Sequence, residues 1–103
     1  MLSLGAYASY AFANDPKHLV FTLARYKFVS KMFEGYDSVL EVGCGDAFGS
    51  TLVAQSVQNL VCIDSEPYGL ENSAKNPQLS RNTTLKLHDI LKSPLPDKYH
   101  AVF

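Results

Sequence analysis

The chain is short of cysteine, of charge and of long apolar runs, and each shortage closes off a class of proteins. Two cysteines, Cys44 and Cys62, are too few for a disulfide framework, and their separation fits no zinc motif. Both read as reduced thiols lining a core or a site. Charged residues make up 18% of the chain and the net charge is -1, so there is no electrostatic footprint for nucleic acid or an anionic membrane. No apolar stretch approaches the roughly 20 residues that a membrane helix needs. Ala11-Phe12-Ala13 imitates a signal-peptide cleavage site, but no Lys or Arg precedes the apolar stretch, and Ser3, Ser9 and two tyrosines interrupt it. Residues 1–15 have no clear period and read as a loose N-terminal arm. There is also no internal repeat, low-complexity tract or linker. What is present is a globular composition, 47% hydrophobic over 103 residues, enough for one small domain in a cytoplasmic setting. The Asn82-Thr83-Thr84 sequon is accidental in such a chain.

The periodic part begins at Asn14-Asp15-Pro16, a cap followed by a proline suited to a first helical turn. A helix is predicted from there to about Glu34, stopped by Gly35. Projected at about 100° per residue, Leu19, Leu23, Tyr26 and Phe33 share one side and Phe21, Phe28 and Met32 another. His18, Thr22, Arg25 and Val29 lie between them, while Lys27, Lys31 and Glu34 face away. A charge inside an apolar arc is costly unless paired. Arg25 therefore either snorkels onto a carboxylate of the protein or faces a ligand. Ser38-Val39-Leu40-Glu41-Val42 fits a buried parallel strand. Residues 43–49 form a tight turn, residues 50–58 a helix with Leu52, Val53 and Val57 inward, and residues 59–63 a second strand ending in Asp64. Pro67 opens a short helix that Asn76-Pro77 closes. Residues 83–87 alternate as a third strand, leading to His88-Asp89, and a fourth strand begins at Tyr99. Such alternation predicts an α/β fold with a parallel sheet and flanking helices. The chain stops within the expected fourth strand, so residues 16–103 read as a domain truncated there.

Three features fall at the carboxyl ends of predicted parallel strands, where open sheets bind ligands. Gly43 and Gly45 let the backbone bend and a ligand approach. A helix starting near Phe48 would aim its N-terminal dipole at that ligand. Asp64, about 20 residues past Gly43, suits a carboxylate accepting from both ribose hydroxyls. Asp89 could accept from an adenine amino group. A dinucleotide site wants G-x-G-x-x-G, and Phe48 occupies the third glycine's place. Glu41 would repel a pyrophosphate but could serve an ammonium group. These residues favour a nucleoside that carries an amino acid and no phosphate.

Val39-Leu40-Glu41-Val42-Gly43-Cys44-Gly45-Asp46-Ala47-Phe48-Gly49 resembles motif I of the class I S-adenosylmethionine-dependent methyltransferases, which have a Rossmann-like fold. Val61-Cys62-Ile63-Asp64-Ser65-Glu66-Pro67 resembles the segment that follows it. Leu87-His88-Asp89-Ile90, with residues 95–102, is similar to the family's adenine segment and fourth strand. The resemblance implies S-adenosyl-L-methionine as cofactor. Gly43, Cys44 and Gly45 would then line its methionine part and Glu41 hold its amino group. Asp64 and Ser65 would meet the ribose, and Asp89 with the backbone of Ile90 the adenine. Ala47 departs from a common third glycine, and His100 from a common Asp in the fourth strand. The implied activity is methyl transfer. The near-neutral charge favours a small-molecule acceptor, with neither nucleic acid nor membrane as partner. A nicotinamide-dependent Rossmann oxidoreductase and a non-catalytic methyltransferase-like module are the competing readings. No residue is assigned as a catalytic base, and no metal site is expected.

Overall fold

A computed structural model describes residues 4–74, 77, 79 and 81–103. Four strands, β1 (Ser38–Val42), β2 (Asn59–Asp64), β3 (Thr83–Leu87) and β4 (Ala101–Val102), form one sheet in the order β3-β2-β1-β4. Every pairing is parallel. The chain steps from β1 outward to β3 and then returns to the far side of β1. That reversal puts a topological switch point beside the end of β1, the place where open α/β sheets leave a crevice.

Among the described residues four helices accompany the strands: α1 (Ala6–Asn14), α2 (Pro16–Met32), α3 (Ser50–Ala54) and α4 (Pro67–Ser73). The core forms between alternate strand residues, Val39, Leu60 and Cys62, and side chains of the helices, including Val53, Ala54, Tyr26, Val29 and Leu70. Leu60, at 1% exposure, contributes about 1.5–3 kcal/mol of the burial energy. The opposite sheet face carries Leu40 and Ile63, also buried, but leaves Val42 and Val102 exposed.

β1 and β3 coincide with their predicted ranges, β1 because a short apolar run and β3 because a two-residue alternation had no competing period. The N-terminal arm does not. Residues 6–14 are helical, and the capping residue Gly5 has no side chain to close the helix. The carboxylate of Asp46 does so instead, accepting from Ala8 N–H at 3.0 Å from 38 residues away. Met1, Leu2 and Ser3 lie outside the described residues, as does Asn76 of the expected helix stop. The helix after the turn is also shorter than expected. It starts at Ser50 rather than near Phe48 and ends at Ala54, so its dipole is that of about one turn. Asn82 ties this helix to β3, its Nδ2 donating to the carbonyls of Ala54 at 2.8 Å and Val57 at 3.0 Å. The Leu19, Leu23, Tyr26 and Val29 face of α2, continued by its C-cap Phe33, turns toward the protein, while Phe21, Phe28 and Met32 are exposed.

Candidate functional site

The turn after β1 is stapled to the end of β2. Gly43 and Cys44 N–H both donate to the Ile63 carbonyl, at 2.8 and 3.1 Å. Gly45 N–H donates to Asp64 Oδ2 at 2.7 Å. Gly43 has φ +81°, and the position its Cβ would occupy is open space. Its positive φ favours glycine there, and its face opens onto the cavities described below. Ala47 also holds a left-handed φ of +55° while fully buried. The methyl group where a third glycine was missed is thus a source of strain, not a neutral change.

Three cavities meet at Gly43. The first, of about 160 Å³, is lined by Gly43, Asp64, Ser65, His88, Asp89 and Ile90 among others. It gathers the residues expected at the ribose and adenine. Asp64 uses one lone pair of Oδ2 for Gly45 N–H and one of Oδ1 for Glu66 N–H at 2.9 Å. Each oxygen keeps an acceptor site, which suits two hydroxyl donors. Asp89 Oδ1 accepts from Leu91 N–H at 2.9 Å, which shapes the loop after β3. His88 closes that loop by donating from Nε2 to the Ser93 carbonyl at 2.9 Å.

The second cavity, of about 270 Å³, lies on the other side of Gly43 between β1, α2 and the end of β4. Arg25, Tyr26, Val29, Glu41, Val42, Gly43 and Phe103 form its walls. Glu41 is 2% exposed. Its carboxylate takes hydrogen bonds from the Tyr26 and Ser50 hydroxyls and from the Cys62 thiol at 3.6 Å. Burial raises the Glu41 carboxyl above the usual carboxylate range, and the three donors oppose that rise. The same burial, with Glu41 alongside, pushes the Tyr26 phenol upward. Tyr26 is the residue that sequence reasoning did not place in the site. It lay on the inward face of α2, and a buried tyrosine hydroxyl needs a partner, which was the available signal. Gly49 makes room for it: a Cβ there would come within 2.3 Å of the Tyr26 ring.

The third cavity, of about 160 Å³, is roofed by α1 and α2. Tyr7, Ala11, His18 and Thr22 face Cys44, Gly45 and Phe48 across it. Cys44 and Gly45 line this chamber, while Gly45 N–H still reaches Asp64 on the other side of the turn. Among the described residues no group of three His, Cys, Asp or Glu could hold a metal, and no helix is long and apolar enough to cross a membrane. His100, expected in the fourth strand, lies just before β4, with its Nδ1 accepting from Ser38 N–H at 3.3 Å. That contact is at the amino end of the sheet, remote from the turn.

No family model matches the chain, and no curated protein matches it in sequence. Solved structures do. N-methyltransferase NodS from Bradyrhizobium japonicum WM9, in complex with S-adenosyl-L-homocysteine, aligns with a TM-score of 0.76 over 96% of this chain at 15% identity. The fold is that of a class I methyltransferase. Coclaurine N-methyltransferase, bound to N-methylheliamine and S-adenosyl-L-homocysteine, shares the methyltransferase fold over 81% of the chain, with TM-score 0.61 and 22% identity. The plantazolicin methyltransferase BpumL, in complex with a monoazolic desmethyl analogue and the same homocysteine product, shares it over 94%, with TM-score 0.60 and 18% identity. The chain spans 50% of NodS, 25% of the coclaurine enzyme and 44% of BpumL.

Proposed function

We propose that the chain binds S-adenosyl-L-methionine across Gly43 and forms the cofactor-binding half of a methyltransferase acting on a small molecule. One observation carries this reading: the two cavities flanking Val42 and Gly43 differ in chemistry and share those two residues. One offers carboxylate acceptors to a ribose and an adenine. The other sets a cation and an anion, Arg25 and Glu41, against apolar walls, which suits an amino acid on a short carbon chain. A nucleoside joined to an amino acid needs both. The homocysteine product bound by NodS, by the coclaurine enzyme and by BpumL has these two ends.

When bound, the donor supplies an activated methyl group: an acceptor lone pair forms the new bond to carbon as the carbon–sulfur bond breaks and its electron pair passes to sulfur. The residues here hold and orient. Asp64 fixes the ribose by two acceptor sites, Asp89 with Ile90 borders the adenine, and Gly43 admits the backbone-to-ligand approach. Alignment of this kind is the main catalytic demand of an in-line transfer. The net charge of -1 supports a small-molecule acceptor over nucleic acid, and the two free thiols suit a cytoplasmic setting.

Calorimetric titration of the chain with S-adenosylhomocysteine tests the reading. Saturable binding that Asp64→Asn weakens at least tenfold is expected. A clear NADH fluorescence change with no homocysteine binding would turn the assignment to a nicotinamide enzyme, and the absence of both signals would leave a fold without its pocket.

A further inference from the structure

The two thiols of the chain come together where the turn after β1 crosses the end of β2. Cys62 is the register partner of Glu41 and is fully buried. Its Sγ donates to the Glu41 carboxylate at 3.6 Å. Cys44 arrives from the turn. Its N–H donates at 3.1 Å to the carbonyl of Ile63, the residue next to Cys62, so the turn folds back over this strand end. Both side chains belong to one buried cluster with Val39, Ala47 and Val53. They are direct neighbours: the Cys44 side chain first, and burial second, push the Cys62 thiol upward. Neither is in a disulfide.

The two thiols differ in access. Cys44 is 5% exposed and lines the chamber under α1, while Cys62 sits behind it with no exposed surface. The chamber, of about 160 Å³, has room for a molecule the size of water or hydrogen peroxide. The Cys44 thiol has only a long bond of its own, 3.8 Å to the Gly45 carbonyl. An isolated buried cysteine is inert. A reachable thiol backed by a second thiol is different, because its first oxidation product is captured as a disulfide before it can go further.

We infer that Cys44 and Cys62 form a thiol-oxidation site, at which a peroxide converts the pair to a disulfide that pins the turn to β2 and, resting on the donor site proposed above, lowers donor affinity. The Cys44 sulfur attacks one oxygen of hydrogen peroxide and the oxygen–oxygen bond breaks. The second oxygen leaves as water with the thiol proton, and Cys44 becomes a sulfenic acid. The Cys62 sulfur then attacks the Cys44 sulfur. The sulfur–sulfur bond forms, the sulfur–oxygen bond breaks, and the Cys62 proton, passed through Glu41, departs with that oxygen as a second water. The two thiols lose two electrons and the peroxide gains them. A disulfide holds its sulfurs about 2 Å apart, closer than two thiols in contact, so Cys44 shifts toward β2 and carries Gly43 and Gly45 with it. That shift disturbs the Gly45 N–H bond to Asp64.

The test treats the intact chain with hydrogen peroxide and follows intact mass, non-reduced peptide maps and S-adenosylhomocysteine affinity by calorimetry. A mass lower by two hydrogens is expected, with the Cys44 and Cys62 peptides linked and the link reversed by dithiothreitol. Homocysteine affinity should weaken about tenfold on oxidation, the free energy of one lost hydrogen bond, and recover on reduction. Cys62→Ser keeps a donor toward Glu41; in it, Cys44 should gain oxygen instead. Wild type whose thiols stay unchanged, or go directly to sulfinic acid, overturns the site, and so does a link that forms only in urea. A linked pair with unchanged affinity overturns its control of the turn. If the link forms but the reduced chain binds no homocysteine, the donor reading falls and the oxidation site stands on the mass data alone.

Discussion

The two sides of Gly43 hold their acids by different means. On the proposed nucleoside side, Asp64 and Asp89 are bonded by three backbone N–H groups, two within their own turns and one, Gly45 N–H, from the turn after β1. On the amino-acid side, Glu41 is bonded by side chains of α2, of β2 and of the residue that opens α3. The first arrangement is local and half-exposed, so it forms whenever the strand ends form. The second exists only once helices and sheet have packed, and it leaves a carboxyl group in a place where its charge is poorly solvated. A motif can therefore write down one side of this site completely and the other only in part.

The sharpest way to break that comparison is to delete an acid from each side. Glu41→Ala strands the Tyr26, Ser50 and Cys62 donors in the interior and should cost on the order of 3 kcal/mol in urea unfolding. Asp89→Ala returns an exposed N–H to water and should cost about 1 kcal/mol or less. Equal losses would mean that the two sides are not different in kind. Next in size is Asp64→Ala, which removes the partner of Gly45 and Glu66 N–H. About 1–2 kcal/mol of stability should go, visible as a lower urea midpoint with the slope preserved.

pH sharpens the comparison further, because Glu41 is the acid whose carboxyl is raised. The folded state then holds a proton that the unfolded chain has already released. The stabilisation this brings is full below the ordinary Glu value and is lost as pH rises through the raised one. Urea midpoints should therefore fall with rising pH over that window in wild type and stay flatter in Glu41→Gln. Donor binding should run the other way. An ammonium group favours ionised Glu41, so homocysteine affinity should climb through the same window, by roughly tenfold for each unit of pH that a proton must be expelled. A flat profile would show that Glu41 does not meet the ammonium.

The smallest effect is expected at Ala47→Gly. Relief of the left-handed backbone is worth about 1–2 kcal/mol. The lost buried methyl, about 0.8 kcal/mol, and the looser unfolded chain, about 0.5–1 kcal/mol, nearly cancel it. A thermal melt should move by only a few degrees; a large loss would mean that the methyl packs against something the turn depends on.

How much of this was legible follows from the same division. β1 and β2 were readable as short apolar runs and β3 as a two-residue alternation, closed by Gly, Asp or His at their carboxyl ends; Asp64 closes β2, and Ser65, Asp89 and Ile90 lie just past strand ends. They gather around one cavity. Cys44 and Gly45 follow Gly43 in the motif, and they line, with Gly43, the chamber under α1, while Gly45 N–H bonds Asp64; a linear motif carries no information about the helices that roof that chamber. Tyr26 and Asp46 were not readable as site residues, since each acts on a partner far away in the chain. α1 escaped for the same reason. Its residues carry no strong apolar stripe, and its cap lies 38 residues downstream.

That cap has a consequence of its own. Asp46 belongs to the turn after β1, yet it closes the first turn of α1, so the order of the N-terminal segment and that of the turn are coupled through this bond. A ligand that steadies the turn should protect the amides of α1 by the coupling free energy, and fraying of α1 should weaken the turn by the same amount. The first helix can thus report on occupancy without touching the donor: slower hydrogen exchange at residues 8–14 would register a ligand at the far end of the loop.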